Sequence, residues 1–261
     1  MERLSRTQSK GLSAQGLRLW AMLFLIAGIV GRGILQNRLL GIGQVTGQQL
    51  LEIMSASTQG MVIATAALVM QALETCAVPM FCLLLVEGFL HTRDFKKYLL
   101  RLLLLAAVSE IPYNLALGSG WMDLSSRNPV FGLVLGLVMM YLFSQFQQKN
   151  ASHRFVKVLV VIFAVFWAEM LRIDNGTAMV VLVGMFWLVR EKSTLRGLFG
   201  AMGSTLCTLL SPFYLVGAMG ALPAHLYNGE QGVEEEGRYL PKYLAYPALL
   251  LLIGLLGNYA M

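Results

Sequence analysis

The chain has 261 residues, of which 57% are hydrophobic and only 13% charged, and its mean hydropathy is +0.66. Soluble domains carry about 25% charged residues, so this composition excludes an ordinary soluble enzyme and points to a polytopic membrane protein. The net charge of +6 needs no nucleic-acid partner, because an excess of Lys and Arg on one side of a membrane accounts for it.

In chain order, Arg3, Arg6, Lys10 and Arg18 precede an apolar run from Leu19 to Val30. This looks like a signal peptide until a small-residue cleavage site is sought, and none is evident, so the segment reads as an uncleaved first span from about Gly16 to Leu35. Arg32 lies at its outer end and must snorkel or find a partner. Residues Gln36 to Thr58 are polar and Gly-rich, a loop or surface helix. The next apolar run, Gln59 to Leu90, is longer than the ~20 residues that suffice to cross. It is one long helix kinked at Pro79 or two pieces. The remaining spans are expected at about Lys97 to Leu117, Pro129 to Phe146, Phe155 to Leu171, Thr177 to Val189, Leu195 to Leu226 with a break at Ser211-Pro212, and Tyr243 to Tyr259. With one crossing for the second run, the basic loops share a side with the basic N-terminus, and Asp123, Asp174 and Glu234 to Glu236 fall on the other. The expectation is an all-α, single-domain membrane bundle over residues 1–261, with about eight spans and both termini cytoplasmic. Its expected location is the bacterial inner membrane.

Cys76, Cys82 and Cys207 sit in apolar runs at no metal-ligand spacing and read as small hydrophobes. Three scattered histidines are too few for a metal cluster, so no metal is expected. His153 and His225 read as surface or interfacial residues, and the acidic run as a solvated loop.

The stretch Leu85 to Ala116, LVEGFLHTRDFKKYLLRLLLLAAVSEIPYNLA, is where ionisable groups meet long apolar runs at helical spacing. Glu87 and His91 are one turn apart and share a helix face. A basic turn follows, with Arg93, Lys96, Lys97 and Arg101 around Asp94, and Thr92 or Asp94 placed to cap the next helix. Charge inside a span is costly, about 2.5–3.5 kcal/mol at the centre, so Glu87 and His91 suggest a polar role within the protein rather than snorkelling alone. The basic residues also fit a plain topology signal.

This stretch resembles the TraX family of integral membrane proteins. The resemblance rests on Val86 to Arg93, Lys97-Tyr98-Leu99, Arg101-Leu102, Ser109-Glu110-Ile111-Pro112 and Asn114. Asn128, Val130-Phe131, Leu135-Gly136-Leu137, Asp174, Gly176, Tyr227-Asn228-Gly229-Glu230 and Tyr246-Pro247 extend it. The family is similar to transmembrane acyltransferases and is named for a conjugation protein implicated in N-acetylating pilin. The resemblance implies transfer of an acetyl group from cytoplasmic acetyl-CoA to an amine or hydroxyl of a protein or glycan. His91 would be the acid or base and Glu87 would orient it. Arg93, Lys97 and Arg101 would engage the phosphates of coenzyme A, and Glu110, Asn114, Asn128 and Asp174 would line the acceptor pathway. Interhelical hydrogen bonding is the competing role for Glu110, Asn114 and Asn128.

Two positions depart from the family pattern. Ala27 and Gly28 stand where an Asp-His pair is usual in the first span, and Leu249 stands where a His follows Tyr-Pro. Two other functions therefore stay open: a non-catalytic membrane assembly or interaction protein, and a carrier for small anions.

Overall fold

The computed structural model describes residues 11–41, 47–118, 120–121, 123–146, 148, 150–230 and 239–259. Among these, helices account for every extended element, and the two β-bridges, Leu12 with Tyr227 and Arg127 with Ile173, are isolated. The basic residues before Gly11 and the Glu234 to Glu236 run lie outside the described residues, so the expectations placed on them are not addressed by the fold.

Helix α1, Ala14–Val30, starts where Ser13 Oγ accepts the Gly16 N–H at 3.3 Å. It does not stop at Leu35 as expected but continues as a π-helical segment, Gly31–Leu39, closed by the Leu40 N–H donating to the Leu35 carbonyl at 3.2 Å. Such wide turns are uncommon and concentrate at functional positions. This one carries Arg32, Gln36 and Asn37 to one end of the bundle. Helix α2, Gly47–Ala56, lies within the stretch expected to be a loop or surface helix.

The long apolar run is two helices placed end to end, α3, Thr58–Thr75, and α4, Ala77–His91. The break falls at Cys76, ahead of the expected kink at Pro79, because proline is tolerated in the first turn of a helix, where its missing N–H has no intrahelical partner. The close approach of Gly220 to Cys76, where an added β-carbon would overlap the Cys76 carbonyl, marks the same joint.

Asp94, rather than Thr92, caps α5, Phe95–Leu117, its carboxylate accepting the Lys97 N–H at 3.1 Å. Helices α6, Val130–Gln145, α7, Ala151–Met170, and α8, Gly176–Leu188, then run alternately along the bundle. Helix α4 is central, with Met80, Cys82, Leu83 and Val86 in a core shared with Leu137, Val180, Leu182 and Phe186. Helix α7 is peripheral, turning Phe155, Ile162, Phe163 and Phe166 outward.

The run from Leu195 to Leu226, expected as one span, is a hairpin. It enters as α9, Arg196–Leu206, turns at Ser211-Pro212, and returns through the short α10, Tyr214–Gly217, and α11, Ala221–His225. The return brings His225 against Gly197, so both limbs end together. The 3-10 turns at Cys207–Leu209 and Ala218–Gly220 and the prolines at 212 and 223 prevent a continuous helix. Helix α12, Tyr239–Tyr259, packs along α5, with Gly254 on Leu115 and Ile253 beside Gly33.

Four described helical runs are long and apolar enough to cross a membrane, Ala14–Leu39, Thr58–His91, Phe95–Leu117 and Ala151–Met170. The shorter apolar helices Val130–Gln145, Gly176–Leu188 and Leu244–Leu256 complete the bundle. The chain is an all-helical membrane protein.

Candidate functional site

The two ends of the bundle hold different polar arrangements. At the basic end, Glu87 is buried, and its Oε1 lies 2.7 Å from Arg196 Nη2 of α9, a residue the sequence reading did not select. Both side chains are about one-tenth exposed, and the Arg196 guanidinium also lies 5.5 Å from the Tyr227 ring centroid. A buried carboxylate needs a cation, and this one takes Arg196 from the hairpin. His91 stays close, its Nδ1 3.9 Å from Glu87 Oε2, but its side chain is 61% exposed. That nitrogen also lies 2.8 Å from the Glu87 backbone carbonyl. A carbonyl can only accept, so Nδ1 carries the proton there.

Arg93, Lys97 and Arg101 are exposed. Lys97 meets Asp94 at 3.2 Å, and the Lys97 and Lys96 N–H groups together with this ammonium hold the Asp94 carboxyl below its usual range. The structure therefore joins Glu87 to Arg196 and holds His91 beside it. The three cations stay outside this pair. Neither of the two cavities described below is lined by His91, Arg93, Lys97 or Arg101.

The opposite end is organised around Arg32. Its Nη2 lies 2.5 Å from Glu74 Oε1 of α3, and its Nη1 donates to Asp174 Oδ2 at 2.7 Å. Asp174 also accepts the Tyr113 hydroxyl at 3.0 Å, and Tyr113 lies 3.2 Å from Ser126 Oγ. The guanidinium thus ties the first and second long helical runs to the α7–α8 turn, and Asp174 in that turn adds the third run through Tyr113. Arginine suits this task because its planar fork can hold two carboxylates at once.

The turn that presents Asp174 is unusual. Arg172 and Asn175 flank it with φ of 51° and 57°, the left-handed region that non-glycine residues rarely adopt. Such conformations cost about 1–3 kcal/mol and persist where the surroundings enforce them. Here the Arg127 N–H donates to the Arg172 carbonyl at 2.8 Å and the Asp174 N–H to the Arg127 carbonyl at 2.9 Å. The Tyr214 hydroxyl, at the hairpin tip, donates to Asn175 Oδ1 at 2.5 Å.

Gly28 takes on meaning beside this cluster. An added β-carbon there would overlap the Glu74 carboxylate, so the position where the resemblance expects a His is closed by Glu74. Glu74 and Tyr113 were not selected from the sequence. The signal for Glu74 was available: an acid inside a long apolar run that must find a cation.

Beside Arg32 lies a cavity of about 210 Å³, lined by Gln36, Asn37, Tyr113, Asn114, Asp123, Ser125 and Ser126 among others. Asn114 is 4% exposed and its Oδ1 has no hydrogen-bond partner, and Arg32 Nε is likewise buried without one. Of the four residues expected along an acceptor path, Asn114 faces this cavity and Asp174 holds its Arg32 wall. Glu110 and Asn128 line neither cavity. Glu110 accepts from Arg127 Nη1 and from the Asn128 N–H and Nδ2, each at 3.1 Å. Asn128, fully buried, also donates to the Ala106 carbonyl at 2.7 Å and caps α6 by accepting the Val130 N–H at 2.8 Å. These bonds lock α5 to the start of α6, the role of interhelical glue. A second cavity of about 190 Å³, between α9 and α11, is lined mainly by small and apolar residues with Thr194 and His225. No His, Cys, Asp and Glu grouping able to hold a metal occurs among the described residues.

The model of the family described as TraX protein matches residues 48–256. A protein of Dichelobacter nodosus named "Probable fimbrial assembly protein FimC, serogroup H1" is 29% identical over 198 residues, which is 67% of this chain and 78% of that protein. No solved structure matches. The matched region includes Glu74, Glu87, Asn114 and Asp174, and with more than half of its length covered the chain belongs to the TraX family.

Proposed function

We propose that this chain is a membrane-embedded assembly factor for surface fibres of the fimbrial or pilus type, without acyl-transfer activity. The observation that carries this reading is the contact of Gly28 with the Glu74 carboxylate. Acyl transfer to an amine or hydroxyl needs a general base near neutral pKa. The first-span position that would supply one is occupied by a carboxylate already tied to Arg32. The relative named as a fimbrial assembly protein supports the process. The basic end faces the cytoplasm by the positive-inside rule, and the Arg32 end then faces outward.

The experiment is a thermal unfolding assay in detergent with and without acetyl-CoA. A ligand of the folded state at 100 times its Kd adds about 2.7 kcal/mol and raises the midpoint. No rise is expected. A rise that disappears in Arg101→Ala, with acetylation that disappears in His91→Ala, overturns the reading.

That outcome belongs to the second reading, which the 3.9 Å approach of His91 to Glu87 favours. In it, acetyl-CoA binds the exposed cations Arg93, Lys97 and Arg101 through its phosphates. His91 moves the proton, with Glu87 orienting the ring, and the acceptor path runs past Glu110, Asn114, Asn128 and Asp174.

A further inference from the structure

We infer that the cavity beside Arg32 is a binding site for a neutral, hydroxyl-rich ligand of the size of a single sugar ring. This goes beyond the assembly reading and stands whether or not the chain transfers a group.

Charge comes first. The two terminal nitrogens of Arg32 are already engaged by Glu74 and Asp174. One cation faces two carboxylates, the buried Glu74 and the partly buried Asp174. An anionic ligand would meet this excess with no free terminal guanidinium nitrogen to receive it. Next is hydrogen-bonding character. Six of the lining side chains, Gln36, Asn37, Tyr113, Asn114, Ser125 and Ser126, are neutral amides or hydroxyls. Hydroxyl ligands both donate and accept, and amide side chains complement them in both directions.

The unfilled capacity is specific. Asn114 is buried, lines the cavity, and its Oδ1 lacks a donor, while Arg32 Nε lacks an acceptor. Buried polar atoms without partners are costly, and a native protein leaves few of them. A vicinal diol places a donor and an acceptor side by side. Size agrees, since about 210 Å³ is smaller than the roughly 300–1,000 Å³ of sites for drug-sized molecules.

The full chain would be purified in a detergent without a sugar headgroup. Its unfolding midpoint would be read with N-acetylglucosamine and methyl glucoside, each against ethanolamine and acetate at equal millimolar concentration. At least one sugar is expected to raise the midpoint, while acetate does not. Asn114→Ala is expected to weaken that binding at least tenfold. Because Asn114 is buried, Ser125→Phe at the exposed rim supplies a second variant, which should block the sugar effect with the unliganded midpoint unchanged. No shift with either sugar, a sugar shift that survives both variants, or a larger shift with ethanolamine would overturn the inference.

Discussion

Each end of this bundle is closed by a partly buried arginine held against carboxylate, yet the two ends differ in the space beside the pair. At the basic end Glu87 pairs with Arg196, whose Nε has no hydrogen-bond partner, beneath an exposed rim that holds His91, Arg93 and Lys97. At the other end Arg32 binds Glu74 and Asp174 beside a cavity in which Asn114 lacks a partner. A buried ion pair is therefore weak evidence for a site, because holding helices together explains it equally well. Both ends hold unpaired buried polar atoms, and what distinguishes the Arg32 end is that two of the residues carrying them, Arg32 and Asn114, line a cavity, whereas Glu87 and Arg196 line neither cavity.

The largest effect expected to break this comparison is Arg32→Met. It leaves the buried Glu74 and the partly buried Asp174 without their cation and should destabilise the protein by about 3–5 kcal/mol, read by thermal or denaturant unfolding in detergent. Glu87→Ala should cost about 3 kcal/mol, the low end of the same range, since Arg196 keeps the Tyr227 ring. Near-neutral results for both would mean that the pairs are solvated and the closure described here is wrong. Gly28→Ala presses a methyl group into Glu74 and should cost about 1–3 kcal/mol, as overpacking usually does. His91→Ala should change stability by no more than about 0.5 kcal/mol, as at other exposed positions.

The smallest effect sharpens the contrast through pH. The folded state holds the Asp94 carboxyl below its unfolded value, so the stability it contributes is present above the usual carboxylate range. It is lost as pH falls through the depressed folded value. Asp94→Asn should abolish only this acid-side component, and an unchanged acid-side slope in the variant would contradict the assignment.

Much of the bundle was legible because membrane spans announce themselves by apolar length, and the short spans were bounded by turns such as Asp174-Asn175-Gly176. The hairpin from Leu195 to Leu226 was not. Apolar composition cannot separate one long span from two half-length limbs, and the distinction depends on tertiary contacts such as Gly197 with His225. For the candidate site, Arg32 was recognised as a residue needing a partner, but Glu74 lies 42 positions away and nothing local couples them. Density of charge drew attention to Leu85 to Ala116, where exposed cations outnumber the buried group that matters. Glu110 and Asn128 show the converse, since their spacing is compatible with either a pathway or a helix lock, and only the bonds to Arg127 and Ala106 reveal the lock.

The most direct test of which end works is to count surface fibres in cells whose own copy is deleted, complemented with Asn114→Ala or His91→Ala at matched membrane levels. Asn114→Ala is expected to lose fibres while His91→Ala restores them as the wild type does. Full restoration by Asn114→Ala together with loss in His91→Ala would place the working site at the basic end and contradict the assignment made here.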